Sequence, residues 1–407
     1  MSNHRLTAHR YEPADEPRRQ PARVAIVLEK TPGLPTGGSH AVGAWMVEAL
    51  RRIYDVTIIT LDSNLSVDGL NGYFGTAIGH NDVRIERVPL PLPLRWTAKL
   101  VLLKRHILLR HCARVAPNYD LVIFSSGEAG IGGRGIQYIH FPSTRGSRGN
   151  LVGIYEGLCE RISGHSEAGV QANVTLTNSA WTAAAIRRAY NVEPLVLHPP
   201  VPEDYREVPW DSREDGFLCI GRITPEKGVD RVIRILKGVR ERGFDVHLHV
   251  IGEFQDRGYW RKISRLLDPS WVTVEGVLRR GQLVELLSRH KYGLHGMPQE
   301  HFGIVVGEMA KAGCIVFVPD GGGQVEIVND DRLTYHDEAD AIDKICAVMH
   351  SRSRQMELRD GLARSSGRYS SAIFIDRFRR IVQDFLRPLA QGSQDPIGAA
   401  SLIEGGR

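Results

Sequence analysis

A chain of 407 residues, 42% hydrophobic and 24% charged, is too long for one ordinary core and suits two domains of about 150–200 residues each, which implies a cleft. No run of about 18 apolar residues is free of charge, which argues against a membrane-spanning helix. The net charge of +5 favours anionic ligands such as phosphates but is too small to indicate nucleic acid.

Residues 1–20 are polar, carry both charge signs and lack an apolar h-region, so a disordered extension is expected rather than a signal peptide, with the protein in the cytosol. The five cysteines are scattered without a C-x-x-C pair and read as buried reduced thiols. Arg23–Leu28 reads as a strand, 31–38 as a Gly/Pro-rich loop and 40–52 as a helix. Strand patterns recur at Asp55–Thr60, Leu121–Phe124, Ile136–Ile139 and Val174–Thr177. Helical stretches separate several of them, so residues 21–200 are expected to form a mostly parallel sheet covered by helices. A polar, proline-containing linker is expected over 201–215. Strands at 217–220, 246–251, 272–274, 292–295 and 314–318, with helices at 229–239, 282–289 and 304–312, then give a second domain over 216–387. A helix at 374–386 is expected to close it, and 388–407 reads as a disordered tail. The fold class is α/β: two Rossmann-like domains in tandem, holding a ligand between their carboxyl-end rims.

Gly221-Arg222 follows a strand, and Lys227-Gly228 opens the next helix. Two cations on a strand-end loop beside a helix N-terminus suit a diphosphate; alone, the same residues also read as a solvated basic turn. In the segment running from Glu300 through His301, Phe302, Gly303, Ile304 and Val305 to Glu308, Gly303 lets backbone approach a ligand closely and Glu308 suits a ribose. Glu308 lies among Val305, Val306, Met309 and Ala310, where an unpaired carboxylate is costly, so a partner is expected. Gly37-Gly38 and Gly321-Gly-Gly323 sit where βα loops meet ligands, each a weak signal. His140, at a strand end, reads by itself more readily as structural than catalytic.

Together Gly221-Arg222 with Lys227-Gly228, the E-x7-E pair Glu300 and Glu308 around Phe302-Gly303, and Gly322-Gly323 with Glu326 resemble glycosyltransferase family 4 of the GT-B enzymes. The resemblance covers the second half and extends more loosely to Gly37-Gly38, His140, Asn178-Ser179 and His198-Pro-Pro-Val201. Gly293-Leu-His295 and Glu300-His-Phe-Gly-Ile304 look like the eukaryotic α-1,2-mannosyltransferase group that uses GDP-mannose on a lipid-linked oligosaccharide. The commoner family form has glycine where His301 stands. The resemblance implies retaining, metal-independent transfer of a hexose, mannose among the candidates, from a GDP- or UDP-linked sugar to a lipid-linked, glycan or small-molecule acceptor. It implies that Arg222 and Lys227 stabilise the departing diphosphate, that Glu300 and the backbone of Phe302, Gly303, Ile304 and Val305 hold the sugar, that Glu308 holds the ribose, that Gly38 approaches the diphosphate and that His140 faces the sugar. No cofactor, metal ligand or nucleic-acid partner is expected.

Residues 94–115 hold six Lys or Arg and no acid among apolar residues including Trp96. As a helix they place Arg95, Lys99, His106 and Arg110 on one face, as a helix at the inner membrane surface would, although Arg105 falls among apolar positions and a core helix fits as well. The competing functions are a GT-B sugar-nucleotide 2-epimerase and a catalytically silent sugar-nucleotide binder. A nicotinamide dehydrogenase lacks its G-x-G-x-x-G.

Overall fold

The computed structural model describes residues 21–29, 38–95, 97, 99–143 and 151–387. The expectations for 1–20, for the loop including Gly37, for Trp96 and for 388–407 lie outside the described residues. Seven parallel strands form the first sheet: β1 (Arg23–Leu28), β2 (Asp55–Thr60), β3 (Val83–Arg87), β4 (Leu121–Phe124), β5 (Ile136–Ile139), β6 (Val174–Thr177) and β7 (Leu195–Val196). Their order is β3-β2-β1-β4-β5-β6-β7. The second sheet has six: β8 (Glu214–Ile220), β9 (His247–Ile251), β10 (Val272–Gly276), β11 (His290–Leu294), β12 (Ile315–Pro319) and β13 (Thr334–Tyr335), in the order β10-β9-β8-β11-β12-β13. In both, the chain reverses direction of growth beside the first strand, and such a switch point is where α/β sheets bind ligands.

Central strands such as β1 and β12 are buried on both faces, which explains their unbroken apolar runs. The strands that the pattern does not reveal lie at sheet edges. In β3, Val-Arg-Ile-Glu-Arg, no residue is buried, so charge alternates with apolar side chains as edge strands require, while β7 and β13 are two residues each. β8 starts at Glu214, inside the expected linker, and Val201 and Trp210 belong to the second core.

The expected closing helix is corrected as well. The last described helix, Ser371–Leu386, does not close the second domain. Its stripe Phe374, Phe378 and Val382 packs in the first domain's core with Trp45 and Val47 of the helix Gly38–Leu50, and Arg379 Nε donates to the Ala49 carbonyl at 2.7 Å. The i, i+4, i+8 stripe specifies a buried face but not which core receives it. The chain thus passes between domains twice, and Val201 bridges Ser370 where the two passages run side by side.

Candidate functional site

The loop after β8 carries Gly221 and the exposed Arg222, whose Nη1 donates to Gln255 Oε1 at 3.2 Å. Lys227 ends the turn Pro225–Lys227 and its ammonium is ion-paired with Glu300 Oε2. The same oxygen lies 3.1 Å from His295 Nε2, and the other accepts from the His301 backbone N–H at 3.2 Å. Burial alone would raise the Glu300 carboxyl, but the His295 hydrogen bond and the Lys227 charge hold it well below the ordinary carboxylate range.

Glu300 owes its place to glycine geometry. Gly303 has φ 90°, a left-handed conformation that side chains disfavour, and a Cβ there would lie 3.3 Å from Glu300 Cγ. Gly303 N-caps the helix Ile304–Lys311 without a side-chain cap, so the helix start faces the cleft with its orphan N–H groups. The Phe302 ring is buried against His198 and Tyr369, at 5.7 and 5.3 Å, which leaves its backbone to meet a ligand. The expected partner of Glu308 is Arg280, which heads the helix Arg280–Arg289. Arg280 also donates through Nε to Asp204 at 3.1 Å and lies over the Tyr205 ring at 5.2 Å. Burial raises the Glu308 carboxyl, with Arg280 pulling it back. Burial also works against the charge on Arg280, and its bonds to Asp204 together with the Glu308 charge more than restore it.

Gly38, Arg222, Arg280, Ile304, Val305 and Glu308 line one cavity of about 210 Å³ between the domains, walled on the first-domain side by Trp45, Tyr73 and Phe74. The domains meet closely here, since a Cβ on Gly38 would lie 3.1 Å from Ile304 Cδ1. Lys227, Glu300, Phe302, Gly303 and His140 are not among the lining residues. The Lys227–Glu300 pair adjoins the cavity, because the Lys227 stem lies 3.8 Å from where a Gly221 Cβ would be. A larger hollow of about 490 Å³ touches Gly228 but none of the other candidate residues. It is open and polar and lacks the apolar walls of ligand sites.

His140 is half-buried, and Nε2 lies 3.0 Å from the Ser125 carbonyl. A carbonyl only accepts, so Nε2 carries the proton and Nδ1 keeps its lone pair. Burial pushes His140 down to about 4, which makes the imidazole neutral. Near it, Phe141 stacks on His301 at 4.3 Å and 4°, joining the domains through the residue where the commoner family form has glycine. Ser179 Oγ donates to the His301 carbonyl at 2.6 Å, and Glu326 accepts from the backbone N–H groups of Ala180 and Trp181 at 3.3 and 3.1 Å. Ser179 and Glu326, and Gly322-Gly323 packed against the 300–301 backbone, therefore brace the interface.

Sequence reasoning missed Arg280 and His295 as the partners of Glu308 and Glu300. Arg280 is one of many arginines and nothing in its spacing marks it. His40 is buried just inside the helix Gly38–Leu50, and its Nδ1 has no hydrogen-bond partner among the described residues. In the basic stretch, the helix spans Val101–Val115. Arg95, Lys99 and Arg110 are exposed, but Arg95 ends a separate short helix, Lys99 precedes Val101–Val115, and His106 is buried with Nδ1 2.7 Å from Ser163 Oγ, which corrects the single helical face expected for the four. Arg105 turns inward between Glu29 and Glu128, at 3.3 and 3.5 Å, which explains its misfit.

Residues 201–363 match the family described as Glycosyl transferases group 1. The chain is 29% identical over 232 residues to the GDP-Man:Man(3)GlcNAc(2)-PP-Dol alpha-1,2-mannosyltransferase of Neurospora crassa, covering 46% of this chain and 40% of that protein. It is 24% identical over 262 residues to the protein of the same name from Dictyostelium discoideum, covering 57% and 51%. The chain thus spans about half or less of the length of these curated relatives. Among solved structures, sucrose-phosphate synthase from Thermosynechococcus elongatus matches with TM-score 0.68 and 16% identity over 90% of this chain and 99% of that one. Anabaena HepE in complex with UDP and glucose matches with TM-score 0.65 and 13% identity over 89% and 100%. The second half of this chain therefore carries a group 1 glycosyl transferase domain, set in a two-domain GT-B fold.

Proposed function

We propose that this protein is a retaining, metal-independent glycosyltransferase that moves a hexose from a nucleoside-diphosphate sugar, GDP-mannose first among the donors, to a lipid-linked acceptor at a membrane surface. The observation that carries the reading is the interdomain cavity, which gathers Gly38, Arg222, Ile304, Val305 and Glu308 with the Lys227–Glu300 pair beside it. Names of the curated relatives favour GDP-mannose and a dolichol-diphosphate-linked oligosaccharide.

As the bond to the sugar breaks, negative charge grows on the diphosphate. Arg222 and Lys227 supply fixed positive charge there, and the uncapped helix start at Ile304 adds its N–H groups. Glu300 aligns Lys227 and offers carboxylate acceptors to sugar hydroxyls, while Glu308 receives the ribose hydroxyls. The neutral His140 presents Nδ1 as an acceptor to the transferred sugar. Retention follows from front-face attack, with the leaving phosphate taking the acceptor's proton and no protein nucleophile involved.

No described helix is long and apolar enough to cross a membrane. The helices Val101–Val115 and Leu151–Ser163 pack together and expose Leu100, Val101, Leu151, Val152, Ile154 and Leu158, with Leu151 86% exposed. Exposed Lys99 and Arg110 belong to the same part of the fold, an apolar and basic combination that suits an anionic lipid surface.

The test is a donor screen. GDP-mannose, UDP-glucose and UDP-N-acetylglucosamine are compared by thermal shift and by release of nucleoside diphosphate, on the wild type and Glu308→Ala. Stabilisation by GDP-mannose that the variant loses supports the reading, and conversion of a donor to its 2-epimer, or no response to any donor, overturns it. Co-sedimentation with phosphatidylserine vesicles checks the surface, where loss of binding in Lys99→Gln/Arg110→Gln is expected and absence of wild-type binding refutes it.

A further inference from the structure

The opposite end of the second sheet, at the start of its strands, holds a cluster that the transfer chemistry does not use. His247 and His249 are two apart on β9 and share a face, and His290 begins β11 opposite Glu214 of β8. Their three rings stand edge to face with centroids 4.7–5.3 Å apart. His247 Nε2 is 3.2 Å from His290 Nε2, and Glu214 Oε2 is 3.4 and 3.7 Å from those two nitrogens. A ring nitrogen of each histidine lies within 4.8 Å of the other two.

We propose that Glu214, His247, His249 and His290 form a binding site for a zinc-class divalent cation, which ties β8, β9 and β11 together away from the transfer site. Four ligands at about 2.0–2.2 Å around a tetrahedral zinc lie about 3.3–3.6 Å from one another. The His247, His290 and Glu214 atoms stand at nearly that spacing. Imidazole nitrogen with a single carboxylate suits zinc and its neighbours rather than magnesium or calcium.

The surroundings fix each ligand as such a site requires. His290 Nδ1 lies 2.7 Å from the Leu286 carbonyl, so it carries the proton and turns the Nε2 lone pair toward the cluster. His249 Nδ1 is 2.6 Å from Glu275 Oε1, a carboxylate–histidine pair that leaves Nε2 as the ligand. Arg289 Nε donates to Glu214 Oε1 at 3.0 Å, which keeps Oε2 for the cluster. Space is provided too: a Cβ at Gly216 would overlap His247 Nε2 and His290 Cδ2. A hydrogen-bonded histidine pair without a cation accounts for less, since one proton on His247 Nε2 serves only one of the acceptors His290 Nε2 and Glu214 Oε2. Asp215 and Asp245 add negative charge around His247.

The full chain, stripped with a chelator and dialysed, is titrated with zinc against a chromophoric competitor, and with cobalt for the visible absorption of a tetrahedral site. The expected result is one zinc equivalent, a tetrahedral cobalt spectrum and a raised melting temperature with zinc. His247→Gln and the surface variant Glu214→Gln should abolish or sharply weaken all three, and Glu275→Gln should weaken affinity about 10- to 100-fold by releasing His249. No zinc uptake by the wild type, or unchanged uptake in both His247→Gln and Glu214→Gln, overturns the proposal. Donor binding at the cleft uses none of these residues, so the outcome is independent of the donor screen.

Discussion

Two carboxylates stand at the cleft, the buried Glu308 in its wall and the partly buried Glu300 beside it, each facing one strong cation, yet they are driven in opposite directions. Glu300 receives Lys227 and His295 on one oxygen and a backbone N–H on the other, and its charge is held firmly. Glu308 faces Arg280, a guanidinium divided between it and Asp204, and burial prevails over the attraction. A buried cation does not by itself fix a carboxylate's charge; the number of donors turned toward it does.

The largest effect should come from removing the shared cation. In Arg280→Ala, Glu308 is left without its partner at a site where both side chains are only about a tenth exposed. The expected cost is about 3–5 kcal/mol of stability at neutral pH, lessened in acid as Glu308 takes up a proton. Urea denaturation at two pH values measures it, and an equal loss at both would mean that Glu308 is not the group left stranded.

Lys227→Ala comes next and separates the two carboxylates by function. If Lys227 meets charge that grows on the departing diphosphate, kcat should fall about 100- to 1,000-fold, with donor affinity changed far less. Steady-state kinetics with the best donor checks this. A rise in KM with kcat unchanged would assign Lys227 to uniform donor binding.

The Glu300 side was the more legible of the two in the sequence. Lys227, Glu300 and Gly303 stand in short motifs beside strand ends, each of which alone also reads as an ordinary turn, and it is their agreement in order and spacing that made them legible. The need for a partner to Glu308 was also legible from its apolar neighbours, but not that Arg280 supplies it, because that arginine arrives from another helix 28 positions earlier. Central strands were readable because both faces are buried, whereas β3 disguises itself with edge charges. The helix Ser371–Leu386 showed its apolar stripe and concealed its destination. His247, His249 and His290 were invisible as a cluster, since only the β8–β9–β11 pairing assembles them.

Gly303→Ala tests whether the backbone under Glu300 matters as much as the cation above it. At φ 90° an alanine costs about 1–2 kcal/mol, and its methyl would press on Val306 Cγ2 and Glu300 Cγ at 3.2 and 3.3 Å. Thermal unfolding should show that loss, and transfer should fall by more than stability explains, because Glu300 is displaced from Lys227. Unchanged kinetics in a destabilised variant would make Gly303 purely structural.

The smallest effects are the pH slopes, which should have opposite signs. Glu300 ionises more readily folded than unfolded, so the stability it contributes is present above the ordinary carboxylate value and is lost as pH falls through its lowered one. Glu308 holds its proton to higher pH when folded, so its contribution is complete below the ordinary value and declines as pH rises through its raised one. Each slope is at most about 1.4 kcal/mol per pH unit. Stability measured by urea from acid to neutral pH should show a shallower acid-side slope in Glu300→Gln and a shallower falling limb in Glu308→Gln. If both variants flattened the same limb, the two carboxylates would share one electrostatic environment, and the division of labour drawn between them would fail.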